Sequence, residues 1–317
     1  MVSKTKIASD IEKSEAEIRY DSGCKAILSN KKILAYILQE FVSEFKGIDV
    51  DEIAEKYIEN NLKTTVSLDS GESSIIGLDV EDLDDGKVIY DILFTAKVPQ
   101  SSKSIGVIIN VEAQNDSNPG YPLLSRAIYY CSRLISRQKN SAIGFRGKNY
   151  GDLKKVYSIW ICLKPNKKQQ NTVNVFELTE KQLYGNYKYR QSDYDLLSVV
   201  MINLSPEYNS LRDLGDSIRE LLSLIFNPEV KSSDKLQGIE KYGIKELNKE
   251  VEDMCNFSKG VLQQGLELGK IDTYVSNIKS LMQNVSCSFE EACKMLNIDT
   301  NLQAELANRI NTGKTAE

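Results

Sequence analysis

The chain has 317 residues, 41% apolar and 27% charged, with a net charge of −5, which is enough for one sizeable core with an appendage, or for two domains. It contains no histidine, which excludes Ser-His-Asp and Cys-His hydrolases, HExxH zinc enzymes and histidine-based nucleases. Any metal would have to be held mainly by oxygen ligands, as suits Mg²⁺ or Mn²⁺.

No stretch of 18 apolar residues is present, so no membrane span is expected. The polar start, Met1 to Tyr20, does not read as a secretory signal. The six cysteines are scattered without a CxxC pair, which suits reduced thiols in a cytoplasmic protein.

Residues 1–20 read as a charged, partly helical arm. Ser29 or Asn30 can cap a helix running to about Phe45, with Ile33, Leu34, Ile37, Leu38, Phe41, Val42 and Phe45 at helical spacing. A short helix over Asp49 to Asn61 and a polar loop over 64–74 follow. Ile75 to Val80 is a strand candidate, and Asp85-Gly86 a hairpin turn. Lys87 to Val98 reads as a strand stopped by Pro99, and Ile105 to Ala113 as the next. Pro122 suits the first turn of a helix to about Gln138. A Gly-rich basic loop over 139–153 leads to a strand at Lys155 to Leu163. Another strand is expected near Thr172 to Leu178, and an apolar run spans Leu196 to Leu204. After Pro206 the pattern is helical: Leu211 to Phe226, Asp234 to Leu268, a helix capped by a Ser288/Glu291 box, and one from about Thr300. The expected organisation is an arm (1–17), a core (18–205) and a helical C-terminal region (206–317).

Charge is unevenly distributed. Eight acids and one base lie between Val66 and Phe94, and ten bases and one acid between Arg133 and Lys168. The two blocks are either two solvated faces or the parts of a metal-dependent site acting on a polyanion.

Strand parity selects the candidate chemistry. Side chains alternate between the faces of a strand. Asp91 shares a face with Ile89, Leu93 and Thr95; Glu112 shares one with Asn110 and Gln114. The short link at 99–104 predicts an antiparallel pair, which can bring Asp91 and Glu112 within about 4.5–5.5 Å at Cβ. Such carboxylates repel unless a cation lies between them. On the residues alone, a solvated acidic sheet face and a cation site both remain open.

Tyr90-Asp91-Ile92 followed by Ile109-Asn110-Val111-Glu112-Ala113-Gln114 resembles the D…(N)-x-E-x-Q signature of the PD-(D/E)XK family transposases and recombination-promoting nucleases. The flanks agree in order: Tyr20-Asp21 to Cys24-Lys25, Asn30 to Ala35, then Arg126, Tyr129-Tyr130, Arg133 and Tyr157 to Ile161. The resemblance covers roughly 18–205. It implies an α/β fold with a restriction-endonuclease-like α-β-β-β-α-β core and a mixed central sheet, to which the helical pattern after Pro206 adds a C-terminal helical region. It also implies Mg²⁺ (or Mn²⁺) and hydrolysis of DNA phosphodiesters by an endonuclease.

Carried over, Asp91 and Glu112 are metal ligands, with the Ala113 carbonyl as a third contribution. Gln114 stands where the superfamily more often has lysine, as it does in the transposase-like branch. The family also tends to use an acid from the first helix. Counted from Ile33 at about 100° per residue, Glu44 falls near 20°, inside the apolar arc, and Glu40 just outside it. Glu44 is therefore the expected third acid, with Glu81 and Asp79 as alternatives. On the helix after the ExQ strand, Arg126, Tyr130, Arg133 and Arg137 form one stripe, expected to meet phosphates. Leu124, Ala127, Ile128, Cys131, Leu134 and Ile135 face the core, and Tyr129, Tyr157 and Trp160 are expected to pack. Two other readings stand beside the nuclease: a decayed nuclease fold that only binds nucleic acid, and an interaction protein or homo-oligomer built through its C-terminal helices.

Overall fold

A computed structural model describes residues 20–59, 63–67, 89–99, 106–114, 119–141, 144–208 and 210–312. The arm over 1–19, the expected strand Ile75–Val80, the Asp85-Gly86 turn, the alternative acids Asp79 and Glu81, and the link at 100–105 lie outside these residues.

Residues 20–28 are helical (α1). Helix α2 spans Lys31–Phe41 and is capped by Asn30, whose Oδ1 accepts the N–H groups of Lys32 and Ile33. It stops earlier than its apolar spacing predicts. Val42 turns extended (φ −114°, ψ 115°), and Ser43–Phe45 follows as a separate 3₁₀ turn. A third helical segment, α3 (Val50–Glu52), continues as a π turn over Ile53–Tyr57.

The strands are β1 (Lys63–Ser67), β2 (Ile89–Lys97), β3 (Gly106–Gln114), β4 (Val156–Cys162), β5 (Thr172–Glu177) and β6 (Leu197–Asn203). They form one mixed sheet in the order β1-β2-β3-β4-β6-β5. β2 and β3 are antiparallel, as their short link predicts, whereas β3, β4 and β6 run parallel. The strand beside β2 is β1, which falls mostly in the stretch read as a polar loop. Helix α4 (Leu123–Ser136) connects β3 to β4, completing an α-β-β-β-α-β core.

Helices cover both faces of the sheet. On one, Phe94, Ile109, Ile159 and Ile202 share an apolar cluster with Ile27 of α1, Ile37 of α2 and Leu221 of α6 (Ile218–Phe226). On the other, Leu93, Ile108, Trp160 and Val199 pack with Ala127, Cys131 and Leu134 of α4. In β2 and β3, Ile92, Phe94, Val107, Ile109 and Val111 lie in the first cluster and Leu93 and Ile108 in the second, as strand parity assigns.

The long helical stretch expected over 234–268 is divided between α7 (Ser232–Lys241) and α8 (Asn248–Val285). Gly243 takes φ +66° after α7, a left-handed cap that favours glycine and ends the helix. Residues up to Cys255 belong with the sheet: Ile239, Val251 and Met254 share its first apolar cluster. The chain divides into compact units at this point, Arg19–Cys255 and a unit containing Asn256–Glu317. Within the second, Val275 and Ile278 of α8 pack with Ala292 and Cys293 of α9 (Phe289–Met295) and Leu306 of α10 (Thr300–Thr312). The Ser288/Glu291 capping box forms as expected. No helix among the described residues is long and apolar enough to cross a membrane.

Candidate active site

The β2–β3 register pairs Ile92 with Val111 and Leu93 with Asn110. One step further along the same diagonal, Asp91 stands opposite Glu112. Here each carboxylate reaches across to the other strand. The Asp91 backbone N–H donates to Glu112 Oε1 at 3.1 Å, and the Ala113 N–H donates to Asp91 Oδ2 at 3.1 Å. The two acids are thus fixed relative to one another by the ends of the strands that carry them.

Their environment is costly for two negative charges. Glu112 is only 4% exposed. Burial, and then the charge of Asp91, push its carboxyl up from the ordinary 4.5 to about 8; the Asp91 N–H, Arg126 and Asn110 pull the other way without prevailing. A buried acid forced toward protonation by a like-charged neighbour is stabilised as an anion by a bound cation. Asn110, fully buried, donates through Nδ2 to Ser158 Oγ at 3.2 Å. Its Oδ1 is buried without a hydrogen-bond partner, a further oxygen acceptor on the Glu112 face. The donor set is all oxygen and suits a hard divalent ion. Among the described residues no group of three or more Asp, Glu or Cys is preassembled for a metal, so Asp91 and Glu112 are the carboxylates on hand.

Positive charge converges on the pair from both helical layers. From α1, Lys25 Nζ lies 3.0 Å from Asp91 Oδ1 and 2.7 Å from Asp21 Oδ2. Burial works to lower its pKa, but its bonds to Asp21 and Asp91 outweigh that and the net shift is upward. From α4, Arg126 stacks over Trp160 at 5.3 Å and Tyr130 at 5.0 Å. It donates to the Tyr130 hydroxyl from Nε (3.0 Å) and Nη2 (2.6 Å), and to the Tyr121 hydroxyl from Nη1 (2.9 Å). This aromatic cage aims the guanidinium so that its charge favours ionised Glu112. Trp160, fully buried beneath it, is the β4 partner of Glu112 and anchors its indole N–H on Ser158 Oγ at 2.8 Å.

The other expected residues divide. Gln114 is half-buried beside Cys162, and its backbone carbonyl accepts the Leu163 N–H at 2.9 Å. At Ala113, expected to contribute its carbonyl, the contact to Asp91 is made by the N–H. The α4 stripe is less open than its spacing suggests: Tyr130 and Arg133 are buried, and Arg133 lies over the Tyr129 ring. Ile128 and Tyr129, both expected to pack, are instead exposed at 42% and 46%. The helix is rotated so that the cage, not an open arginine row, faces the site. Arg137 lies at the far end of α4 as its C-cap. The basic residues Lys139, Arg146 and Lys148 are exposed near the start of β4, at the opposite end of that strand from Trp160 and Cys162. A cavity of about 550 Å³ lies on the nearer side, lined by Tyr121, Leu124, Cys162, Asn174, Phe176 and Met201 among others.

Glu44 is not brought to the pair. Its Oε2 accepts the Tyr157 hydroxyl at 2.5 Å, and its Oε1 lies 3.6 Å from Lys155 Nζ. Lys155 is 8% exposed and also meets Asp195 at 2.8 Å. Tyr157 belongs to the apolar cluster on the other face from Trp160. The break at Val42 invalidates an angular count carried from Ile33 to Glu44, because residues 42–45 do not continue the α2 helix. Glu40, the other acid considered, caps α6 by accepting the Ile218 N–H at 2.8 Å. Glu44 is thus engaged with Tyr157 and Lys155 rather than with the pair. Glu44→Ala is expected to cost about 1–3 kcal/mol by leaving Lys155 and Tyr157 short of an acceptor, read as a lowered thermal midpoint, with Mn²⁺ affinity unchanged.

The acid that does approach Asp91 is Asp21, through Lys25. The i,i+4 spacing of Asp21 and Lys25 beside apolar Tyr20 and Cys24 marks a helix whose charged edge borders a packed face.

A comparison with protein families matches residues 23–205 to the PD-(D/E)XK nuclease family transposases. No curated protein and no solved structure matches the chain.

Proposed function

Because the chain belongs to the PD-(D/E)XK nuclease family transposases, a membership that supports a nuclease-type function, we propose that it is a metal-dependent DNA endonuclease whose Mg²⁺ or Mn²⁺ is held by Asp91 and Glu112. The observation that carries this reading is the reciprocal hydrogen bonding of the two acids across the ends of β2 and β3. A divalent ion there would polarise the scissile phosphate and lower the pKa of an attacking water. The chain's own groups would do the rest. Asp91 and Glu112 hold their positions through backbone N–H donors, so little reorganisation is needed when a cation arrives. Arg126, clamped by Tyr121 and Tyr130, presents a fixed positive charge beside Glu112. Gln114 offers a hydrogen bond at the edge of the site but no charge. Arg126 and Tyr130 are the members of the α4 stripe nearest the pair, and Arg133 and Arg137 would act at most on more distant phosphates. The packed helices of the unit containing Asn256–Glu317 would offer a surface for self-association. A role in DNA transposition or recombination within the cytoplasm fits this assignment.

The test is cleavage of supercoiled plasmid by purified protein with Mg²⁺ or Mn²⁺. Wild type is expected to nick or linearise it, Asp91→Ala to leave it intact, and EDTA to stop the reaction. Equal cutting by wild type and Asp91→Ala would overturn the assignment. Salt-sensitive DNA binding without cutting would identify a decayed nuclease instead, a reading favoured by the missing lysine at position 114.

A further inference from the structure

The motif position that more often carries lysine holds Gln114, yet a lysine is present at the site. Lys25 comes from α1, on the other side of the sheet from α4, and places its ammonium 3.0 Å from Asp91 Oδ1. Asp21, one turn earlier on the same helix, holds that ammonium at 2.7 Å. The side chain is 19% exposed, partly buried but open to solvent on one side. Lys25 thus bridges an acid of the α1 helix and a proposed metal ligand, in the position of a small cation between two carboxylates.

We propose that Lys25 supplies the positive charge that Gln114 lacks: it neutralises Asp91 in the metal-free protein and, when a divalent ion takes over Asp91, its ammonium serves the scissile phosphate. The inference rests on the endonuclease reading above. Its geometry is simple. A cation bound to a carboxylate lies roughly 2.0–2.6 Å from it, so a phosphate oxygen on that cation falls within reach of an ammonium already 3.0 Å from the same carboxylate. Asp21 is not part of the displaced contact, so it keeps Lys25 tethered at the site when Asp91 is taken. Lysine on a flexible stem suits such a transfer better than the caged, planar Arg126.

This role makes two effects of opposite sign. An ammonium paired with Asp91 competes with a divalent ion for that carboxylate, so Lys25→Met should bind Mn²⁺ more tightly, by about tenfold on Coulombic grounds at an effective dielectric near that of water. The same variant at saturating Mn²⁺ should cut plasmid about a hundredfold more slowly, as loss of one preorganised charge at the reacting phosphate does. The experiment is calorimetric titration of full-length wild type and Lys25→Met with Mn²⁺ alone, paired with plasmid cleavage at saturating Mn²⁺. Two further variants accompany them. Lys25→Arg keeps the charge and should keep much of the activity if Lys25→Met disturbs α1. Lys25→Met combined with Gln114→Lys should recover cleavage, a rescue that a purely structural lysine would not show.

Tighter Mn²⁺ binding with slowed cutting, rescued at position 114, establishes the role. Cleavage by Lys25→Met at the wild-type rate overturns it and leaves the endonuclease assignment standing. So does joint loss of metal affinity and cleavage without rescue, which would make Lys25 a support for Asp91 and nothing more. A wild type that neither binds Mn²⁺ nor cuts removes both.

Discussion

Glu112→Gln is expected to reduce DNA cleavage by at least about a thousandfold, as loss of a central catalytic group does, and at the same time to stabilise the metal-free protein at neutral pH. The two effects have one cause. Glu112 is buried, faces the charge of Asp91, and has its carboxyl raised from 4.5 to about 8. The folded state therefore binds a proton that the unfolded state has already released between those values. The stabilisation from protonated Glu112 is complete below about pH 4.5 and is lost as pH rises toward about 8. Glutamine keeps the shape, accepts the Asp91 N–H through its carbonyl oxygen and never ionises. Thermal melts of the metal-free wild type should show a midpoint that declines through this window, and the variant should lack that component of the decline. Saturating Mn²⁺ should remove the decline in wild type and leave the variant unaffected. A variant that melts lower than wild type at pH 8 would mean that the anion is well accommodated without a cation.

Trp160→Ala is expected to cost about 3–5 kcal/mol, in the range for a large buried aromatic, and to impair the site even where the fold survives. Trp160 is fully buried, pairs with Glu112 across β3 and β4, and lies under both the Tyr130 ring (5.6 Å between centroids) and the Arg126 guanidinium. Truncation would leave a cavity between the sheet and α4 and remove one wall of the cage that aims Arg126. Trp160→Phe should restore most of the packing while losing the hydrogen bond to Ser158, separating the two contributions. Denaturant midpoints read the stability, and cleavage under folding conditions reads the cage. Wild-type stability of Trp160→Ala would contradict the packing described.

Much of this was legible because period-2 alternation in two apolar strands fixes which face each acid occupies. The short link between β2 and β3 then predicts antiparallel pairing, in which Asp91 and Glu112 can share a face; the register that sets them opposite one another is given by the structure. The helix after β3 was legible for the same reason at helical period. Its fine rotation was not, because Tyr130 and Arg133 pack through long amphipathic stems that a polarity pattern counts as solvent-facing. Glu44 was misplaced because the apolar spacing runs on to Phe45 although the backbone turns extended at Val42. β1 was unreadable from polarity alone: its Lys63-Thr64-Thr65-Val66-Ser67 has the β-branched residues of an edge strand but no apolar face. Lys25 was legible only as part of the flanking pattern, not as a partner of Asp91, because the two are 66 residues apart in sequence and no local pattern records such a contact.

The most direct measurement is the anomalous difference density of a crystal soaked in Mn²⁺. One strong peak is expected at the ends of β2 and β3, within coordination distance of carboxylate oxygens from both Asp91 and Glu112, with the Lys25 ammonium displaced from Asp91. A fully soaked crystal with no peak there, or with manganese bound at Glu44 and Asp195 instead, would contradict it.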